Sequence, residues 1–285
     1  MLKLFNYLLS MGISTVKELP PVPPEDFRGL PGITDIDCQS GCTKCEDVCP
    51  TDAITIFSTN DKSEVSIDLG ACIQCGLCYA ECPSGTIVEN KTYRVGASSR
   101  EDLVLIKDRE KVKYVLQASA KTARKTAEPL LGSDREMLKD SLHIRVVSTG
   151  CSACDGELLA TENPIYDLER FGVHIVASPR HADALFLTGP VPKAMHAPLE
   201  RCYIAMAEPW IVVAIGTCAI SGGMHKEGYA LANGADAVLP VNVYVPGCPP
   251  HPWSIIHGIL VAMGKVEPFK PELLKSPGDA QPKEH

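Results

Sequence analysis

Thirteen cysteines are spread over 285 residues, and their spacing decides what they can do. Eight fall in two runs, Cys38, Cys42, Cys45, Cys49 and then Cys72, Cys75, Cys78, Cys82, each closed by a proline. Cys151 with Cys154, Cys218 and Cys248 come later, each near glycine or proline. Grouped thiolates ligate soft metals. A disulfide framework is the competing use, but it belongs to small secreted domains, and this chain is neither small nor opened by a cleavable export signal. Cys202, in LERCYIAMAE, has no such company and reads as a packing residue.

The second run, C-x-x-C-x-x-C-x-x-x-C-P, resembles that of bacterial two-cluster ferredoxins. There three closely placed thiolates wrap one iron-sulfur cube, and the fourth, carried off by the turn before proline, reaches the other. The resemblance assigns Cys38, Cys42, Cys45 and Cys82 to one [4Fe-4S] cluster and Cys49, Cys72, Cys75 and Cys78 to a second. The first run departs from the pattern, because three residues rather than two separate Cys38 from Cys42. One residue within Gln39, Ser40 and Gly41 must bulge, which glycine tolerates; a three-iron cluster follows if Cys38 fails to ligate. Zinc is the alternative, since C-x-x-C pairs also suit a tetrahedral ion, but two proline-terminated four-cysteine runs exceed what zinc needs.

The remaining four thiols need strands to bring them together. From Ser141 the chain shows short apolar runs, each broken by a glycine-bearing loop: HIRVVSTG, ADALFLTGP, WIVVAIGT and VNVYVPG. Helix-like stretches lie between them, so a mostly parallel sheet covered by helices is expected. Cys151 and Cys154 follow the first run, Cys218 the third and Cys248 the fourth. All four are thus expected at the carboxyl ends of strands, where open α/β sheets place ligands, and they suffice for a third [4Fe-4S] cluster. Gly150, Gly216 and Gly247 let the backbone bend close to an inorganic core. Pro249 and Pro250 are expected to start the helix PPHPWSIIHGILVAM. Ordinary buried cysteines are the alternative.

The rest of the chain positions these groups. MLKLFNYLLSMGIS reads as a short amphipathic helix, too short and interrupted to span a bilayer. The proline-rich ELPPVPPEDFRGLPG is an extended strap. ITDIDC-QSGCTKCEDVCPTDAI and IDLGAC-IQCGLCYAECPSGTI form an internal repeat, implying a pseudo-twofold domain. The expected divisions are 1–30 for helix and strap, 31–97 for an α+β ferredoxin-like two-cluster domain, 98–140 for a helical linker, 141–265 for an α/β flavodoxin-like domain, and 266–285 for a disordered tail. Lys107 to Lys125 in the linker read as a solvated basic face. The 45% apolar content supports real cores, and the formal net charge of -8 argues against nucleic-acid partners.

TGCSACDGE, NPIYDLERFGVHIVASPRHADALFLTGPV, GTCAISGG and PGCPPHP resemble the small subunit of membrane-bound, energy-converting [NiFe] hydrogenases, a fold shared with the 20-kDa subunit of complex I. The resemblance covers about residues 141 to 263. In the complex I subunit the first two ligands are usually adjacent; Ser152 and Ala153 separate Cys151 from Cys154 here, which favours the hydrogenase branch. FNYLLSMGISTVKELPPVPPEDFRGLPGI with the cysteine repeat looks like the two-cluster ferredoxin subunit of formate hydrogenlyase and complex I. The two subunits are then one polypeptide, and the tether keeps the relay in series.

These resemblances imply an oxidoreductase subunit that is not catalytic alone. Electrons would pass through two ferredoxin-type clusters and the third cluster to or from a nickel-iron site in a separate large subunit. They also imply integral membrane subunits, a soluble ferredoxin or formate dehydrogenase-type donor, and a cytoplasmic place on the inner face of the cell membrane. Glu157 occupies the family's glutamate near the large-subunit interface, where a proton-handling role is expected. His251 and His257 are expected to be helix or interface residues rather than ligands. The alternatives are a complex I-like partner that reduces a quinone or other carrier without nickel, and a non-redox zinc scaffold.

Overall fold

The computed structural model describes residues 21–58, 63–119 and 136–274, with residues 3, 7, 10, 125 and 127. The expected N-terminal helix lies almost wholly outside the described residues, as does the tail after Leu274.

The cysteine repeat folds as two equivalent halves. The first comprises β1 (Leu30–Ile33), α1 (Lys44–Asp47) and β2 (Ile54–Ser58); the second β3 (Ser63–Asp68), α2 (Leu77–Ala80) and β4 (Ile87–Asn90). β1 pairs antiparallel with β4 and β2 with β3, so each small sheet takes one strand from each half. Val65 and Ile67 alternate into the core, with Leu30, Ile33, Ile54 and Ile87 from the other strands. The two helices are single turns, and each buries one cysteine, Cys45 or Cys78.

Residues 98–140 do more than link. Val104–Leu105 form β5, which joins β3 through the pairs Ile67↔Leu105 and Asp68↔Val104. Leu103, Val104, Leu105 and Ile106 are all buried. Four consecutive apolar residues cannot hide on one face of a solvated helix, and burial in the sheet outweighs local helix propensity. A helix, α3 (Val112–Ser119), follows and packs Val112, Val115 and Leu116 on Val104 and Ile106. Three lysines of the basic stretch are paired within the chain: Lys107 to Asp37 at 3.1 Å, Lys111 to Glu64, and Lys125 to Glu200 at 3.8 Å.

The second half runs β6 (Leu142–Ser148), α4 (Ala153–Ala160), β7 (Val173–Ile175), β8 (Ala184–Thr188), α5 (His196–Ala205), β9 (Ile211–Ile215), α6 (Thr217–Ser221), β10 (Val243–Val245) and α7 (Pro252–Ala262). Its five strands lie in the order β10-β9-β8-β6-β7, every pair parallel. β8 and β9 are buried along their whole length, which accounts for their unbroken apolar runs. Four of these strands match the sequence expectation. The fifth, β7, is a three-residue edge strand with exposed His174 at its centre, too short to show a period. The strand order reverses between β6 and β8, so the carboxyl ends of these strands open a crevice.

α7 is buried on every side, between the sheet and the cysteine-rich half. A Cβ on Gly258 would lie 2.2 Å from Val245 Cγ2, and one on Gly96 would lie 2.7 Å from the Gly258 Cα. The helix starts at Pro252, not at Pro249 or Pro250. The residue before a proline is driven out of helical geometry, and His251 at ψ 149 is accordingly extended and serves as N-cap, its Nδ1 accepting from the Trp253 N–H at 3.2 Å. His257 Nδ1 accepts from the Gly96 N–H at 3.0 Å, and burial pushes its pKa down to about 4, so it is a neutral acceptor.

Backbone bonds also join the halves. Ala97 and Tyr244 exchange N–H···O bonds of 2.9 and 2.8 Å. The first part of the expected disordered tail is ordered as a strap: Phe269 N–H donates to Gly96 O and Leu274 N–H to Ile33 O, extending β1. Its backbone donors find acceptors on Gly96 and Ile33, far away in sequence, which polar composition alone does not disclose. No helix among the described residues is long and apolar enough to cross a membrane.

Candidate metal centres

The twelve grouped thiols meet in three sets. In the first, Cys38 faces Cys42 and Cys82, and Cys45 faces Cys38, Cys82 and Cys42. The extra residue before Cys42 is absorbed by Gly41 at φ 73, whose N–H donates to Ser63 Oγ, while Cys38 bridges to Ser63. Burial, then the neighbouring thiols, pushes Cys45 up to about 11. Cys82 runs the other way: burial raises it, but N–H donors at Ile87, Ser84 and Gly85 outweigh that and lower it.

In the second set Cys49, Cys72, Cys75 and Cys78 line one pocket with Ile54, Ile67 and Leu77, holding about 360 Å³ of empty space including its mouth. Burial pushes Cys72 and Cys78 up to about 12, with the other thiols of the set adding to it. Backbone N–H groups already point at sulfur: Ala53 to Cys49 at 3.2 Å and Gln74 to Cys72 at 3.4 Å. Cys78 also feels Cys45, so the two sets are neighbours.

The third set gathers at the carboxyl ends of β6, β9 and β10. Cys151 precedes α4 and Cys154 lies in its first turn; Cys218 is in α6; Cys248 follows β10. Burial first, then Cys248, Cys151 and Cys218, pushes Cys154 up to about 12, and Cys218 rises to about 11 for like reasons. Gly216, at φ 87, is where the loop closes: a Cβ there would lie 2.5 Å from Cys154 Sγ. Cys154 and Cys218 are buried whereas Cys151 and Cys248 are exposed, so one side of the set faces outward. Leu159, Ile165 and Met224, which follow these cysteine-bearing segments, are exposed large apolar residues.

All of these cysteines are free thiols. Burial first, then neighbouring thiols, raises the buried members of each set, and a cationic core between the sulfurs would offset both. A four-iron cube takes one thiolate at each corner, and four grouped thiols with backbone N–H donors at their sulfurs suit it.

Glu157 lies on α4 and lines a crevice with Arg28, Gln74, Cys248 and His251; burial raises its carboxyl above the usual range, and burial, then the Glu157 charge, raises Tyr166. His251 stacks on Tyr93 with centroids 4.6 Å apart. Cys202 sits in α5 and belongs to none of the three sets. Sequence reasoning passed over Thr217, whose Oγ1 donates to the Cys72 carbonyl at 2.7 Å. Its place beside Cys218 was the only local signal.

Comparison with known proteins matches two stretches of the chain to two family models. Residues 37–86 match the 4Fe-4S dicluster domain, and residues 151–262 match the NADH ubiquinone oxidoreductase, 20 Kd subunit. Formate hydrogenlyase subunit 7 of Escherichia coli is 42% identical over 131 residues, 46% of this chain and 51% of that protein. A probable membrane-bound hydrogenase subunit of Pyrococcus furiosus is 44% identical over 121 residues, 42% of this chain and 72% of its own. One of the NADH-quinone oxidoreductase subunits of Rubrobacter xylanophilus is 46% identical over 119 residues, 41% of this chain and 47% of that protein. The chain thus spans about half the length of the first and third of these relatives. With a 4Fe-4S dicluster domain ahead of it on the same polypeptide, the chain belongs to the family of the NADH ubiquinone oxidoreductase 20 Kd subunit.

Proposed function

We propose that this chain is the electron-relay subunit of a membrane-associated hydrogenase-type complex. Three [4Fe-4S] clusters are held by Cys38, Cys42, Cys45 and Cys82, by Cys49, Cys72, Cys75 and Cys78, and by Cys151, Cys154, Cys218 and Cys248. The observation that carries this reading is the meeting of twelve thiols in three separate sets. When bound, the clusters supply one-electron storage at each site. The residues hold the thiolates apart, direct N–H donors at their sulfurs and shield the second set within apolar surroundings.

The strand order is one that flavodoxin-like sheets use, which supports reading residues 141–265 as a flavodoxin-like domain. The outward side of the third set, with exposed Leu159, Ile165 and Met224, is the face offered to a large subunit carrying nickel and iron. Membrane subunits and a ferredoxin or formate dehydrogenase-type donor complete the complex, on the cytoplasmic side of the membrane. A quinone-reducing complex is the second reading, favoured by the 46% identity to an NADH-quinone oxidoreductase component.

Anaerobically purified protein is expected to contain about twelve irons with matching sulfide. A colourless, fully folded, iron-free or zinc-loaded preparation would sink the relay. Nickel in the copurifying large subunit separates the hydrogenase reading from the quinone one. Glu157, raised by burial, is assigned proton transfer at the large-subunit face. In the assembled complex Glu157→Gln is expected to keep cluster reduction while slowing hydrogen turnover, and unchanged turnover would remove Glu157 from the proton route.

A further inference from the structure

Thr217 is a buried hydroxyl, 1% exposed, standing where the two halves of the molecule touch. Its Oγ1 donates to the Cys72 carbonyl at 2.7 Å, across 145 positions of sequence. Its backbone N–H donates to Gly247 O at 2.9 Å, and its Oγ1 also lies 3.2 Å from that oxygen. Each partner is a ligand-bearing position or the residue beside one. Cys72 belongs to the second set of thiols, Thr217 precedes Cys218, and Gly247 precedes Cys248.

Local structure does not require a hydroxyl here. Gly216 rather than Thr217 occupies the N-cap position of α6, and no side chain caps that helix. The hydroxyl is spent on the other half of the molecule instead. Left without its donor, the Cys72 carbonyl would lose a buried partner, and the gap between the loops would be set only by van der Waals contact. Electrons tunnel more readily along bonds and hydrogen bonds than across an empty gap. From the Cys72 carbonyl one hydrogen bond reaches the Thr217 side chain, and covalent bonds lead from there to Cys218.

We propose that Thr217 is the positioning residue for electron transfer between the halves: its hydroxyl fixes the Cys72 and Cys218 loops at one separation and supplies the hydrogen-bonded contact across it. This rests on the electron-relay reading. One electron leaves the cluster held by the Cys72 set, which is oxidised by one unit, and enters the cluster held by the Cys218 set, which is reduced by one. No bond is made or broken, and the hydroxyl keeps its proton.

The test uses the full-length, cluster-loaded protein. Thr217→Val keeps the shape and removes the donor, while Thr217→Ser keeps the donor. Rapid photoreduction followed by freeze-quench EPR reads the rate at which the third cluster gains its electron, with iron content and the midpoint potential of each cluster measured beside it. T217V is expected to slow that rate several-fold with iron content and potentials unchanged, and T217S to restore it. A T217V protein with full iron and the native rate would overturn the proposal, as would a T217S protein as slow as T217V. Should T217V fail to load its iron, Thr217→Ala takes its place, and a fully loaded T217A at the native rate overturns the proposal equally. Failure of the relay reading itself is seen separately, as wild-type protein lacking the three EPR signals.

Discussion

Replacing Gly216 by valine is expected to remove the third cluster while sparing the two in the repeat. The glycine stands between β9 and α6 at φ 87, a region that a β-branched residue rarely enters. Its N–H donates to Val245 O at 2.8 Å, so the loop is not free to retreat. A Cβ there would sit 2.5 Å from Cys154 Sγ, and that sulfur is buried beneath α4. Either the sulfur or the loop must shift, and overpacking of this kind costs about 1–3 kcal/mol even before ligation is counted. Iron content should fall from about twelve to about eight atoms per chain. EPR should lose one of three signals and keep the other two. Full iron content in G216V would show that Cys154 does not ligate at the position described.

Removing the carboxylate of Asp68 should produce the largest loss of stability. Arg100 is 4% exposed and its guanidinium forks onto Asp68, with Nη1 to Oδ1 at 2.6 Å and Nη2 to Oδ2 at 2.5 Å. Burial alone would lower the Arg100 pKa, but Asp68, with help from Asp236, raises it. The same carboxylate accepts the Gly70 N–H at 2.9 Å, two residues before Cys72. Asp68→Ala therefore leaves a buried cation without its bidentate partner at the joint between the halves, with the Asp236 charge still nearby. The expected cost is about 3–5 kcal/mol, read from the shift in denaturant midpoint at constant slope. Adding Arg100→Met should recover much of it, because the unpaired charge is then gone. A loss under about 1 kcal/mol in D68A would mean that the pair is as well solvated as a surface ion pair.

What the sequence disclosed and what it hid divide along range. The cysteine runs, the glycines beside the later thiols and four apolar runs were legible because each is a local pattern: spacing within a turn, or a strand buried on both faces. β5 was hidden inside a basic, helix-favouring stretch, since the burial of Leu103 to Ile106 depends on a sheet edge supplied by β3. β7 was hidden by its length, and the Leu274 strap by the polar composition around it. The start of α7 was misplaced toward Pro249 and Pro250. Only the turn after Cys248 decides which proline takes the first helical position.

The primary structure alone determined which thiols are grouped and which of them share a short loop, because neighbouring residues carry their spacing with them. It did not determine how near the Cys72 loop lies to the Cys218 loop. That separation depends on α7, buried on every side, on Gly96 against Gly258, and on one hydroxyl reaching one carbonyl. Close packing sums weak contacts from segments far apart along the chain, and no window of sequence contains that sum.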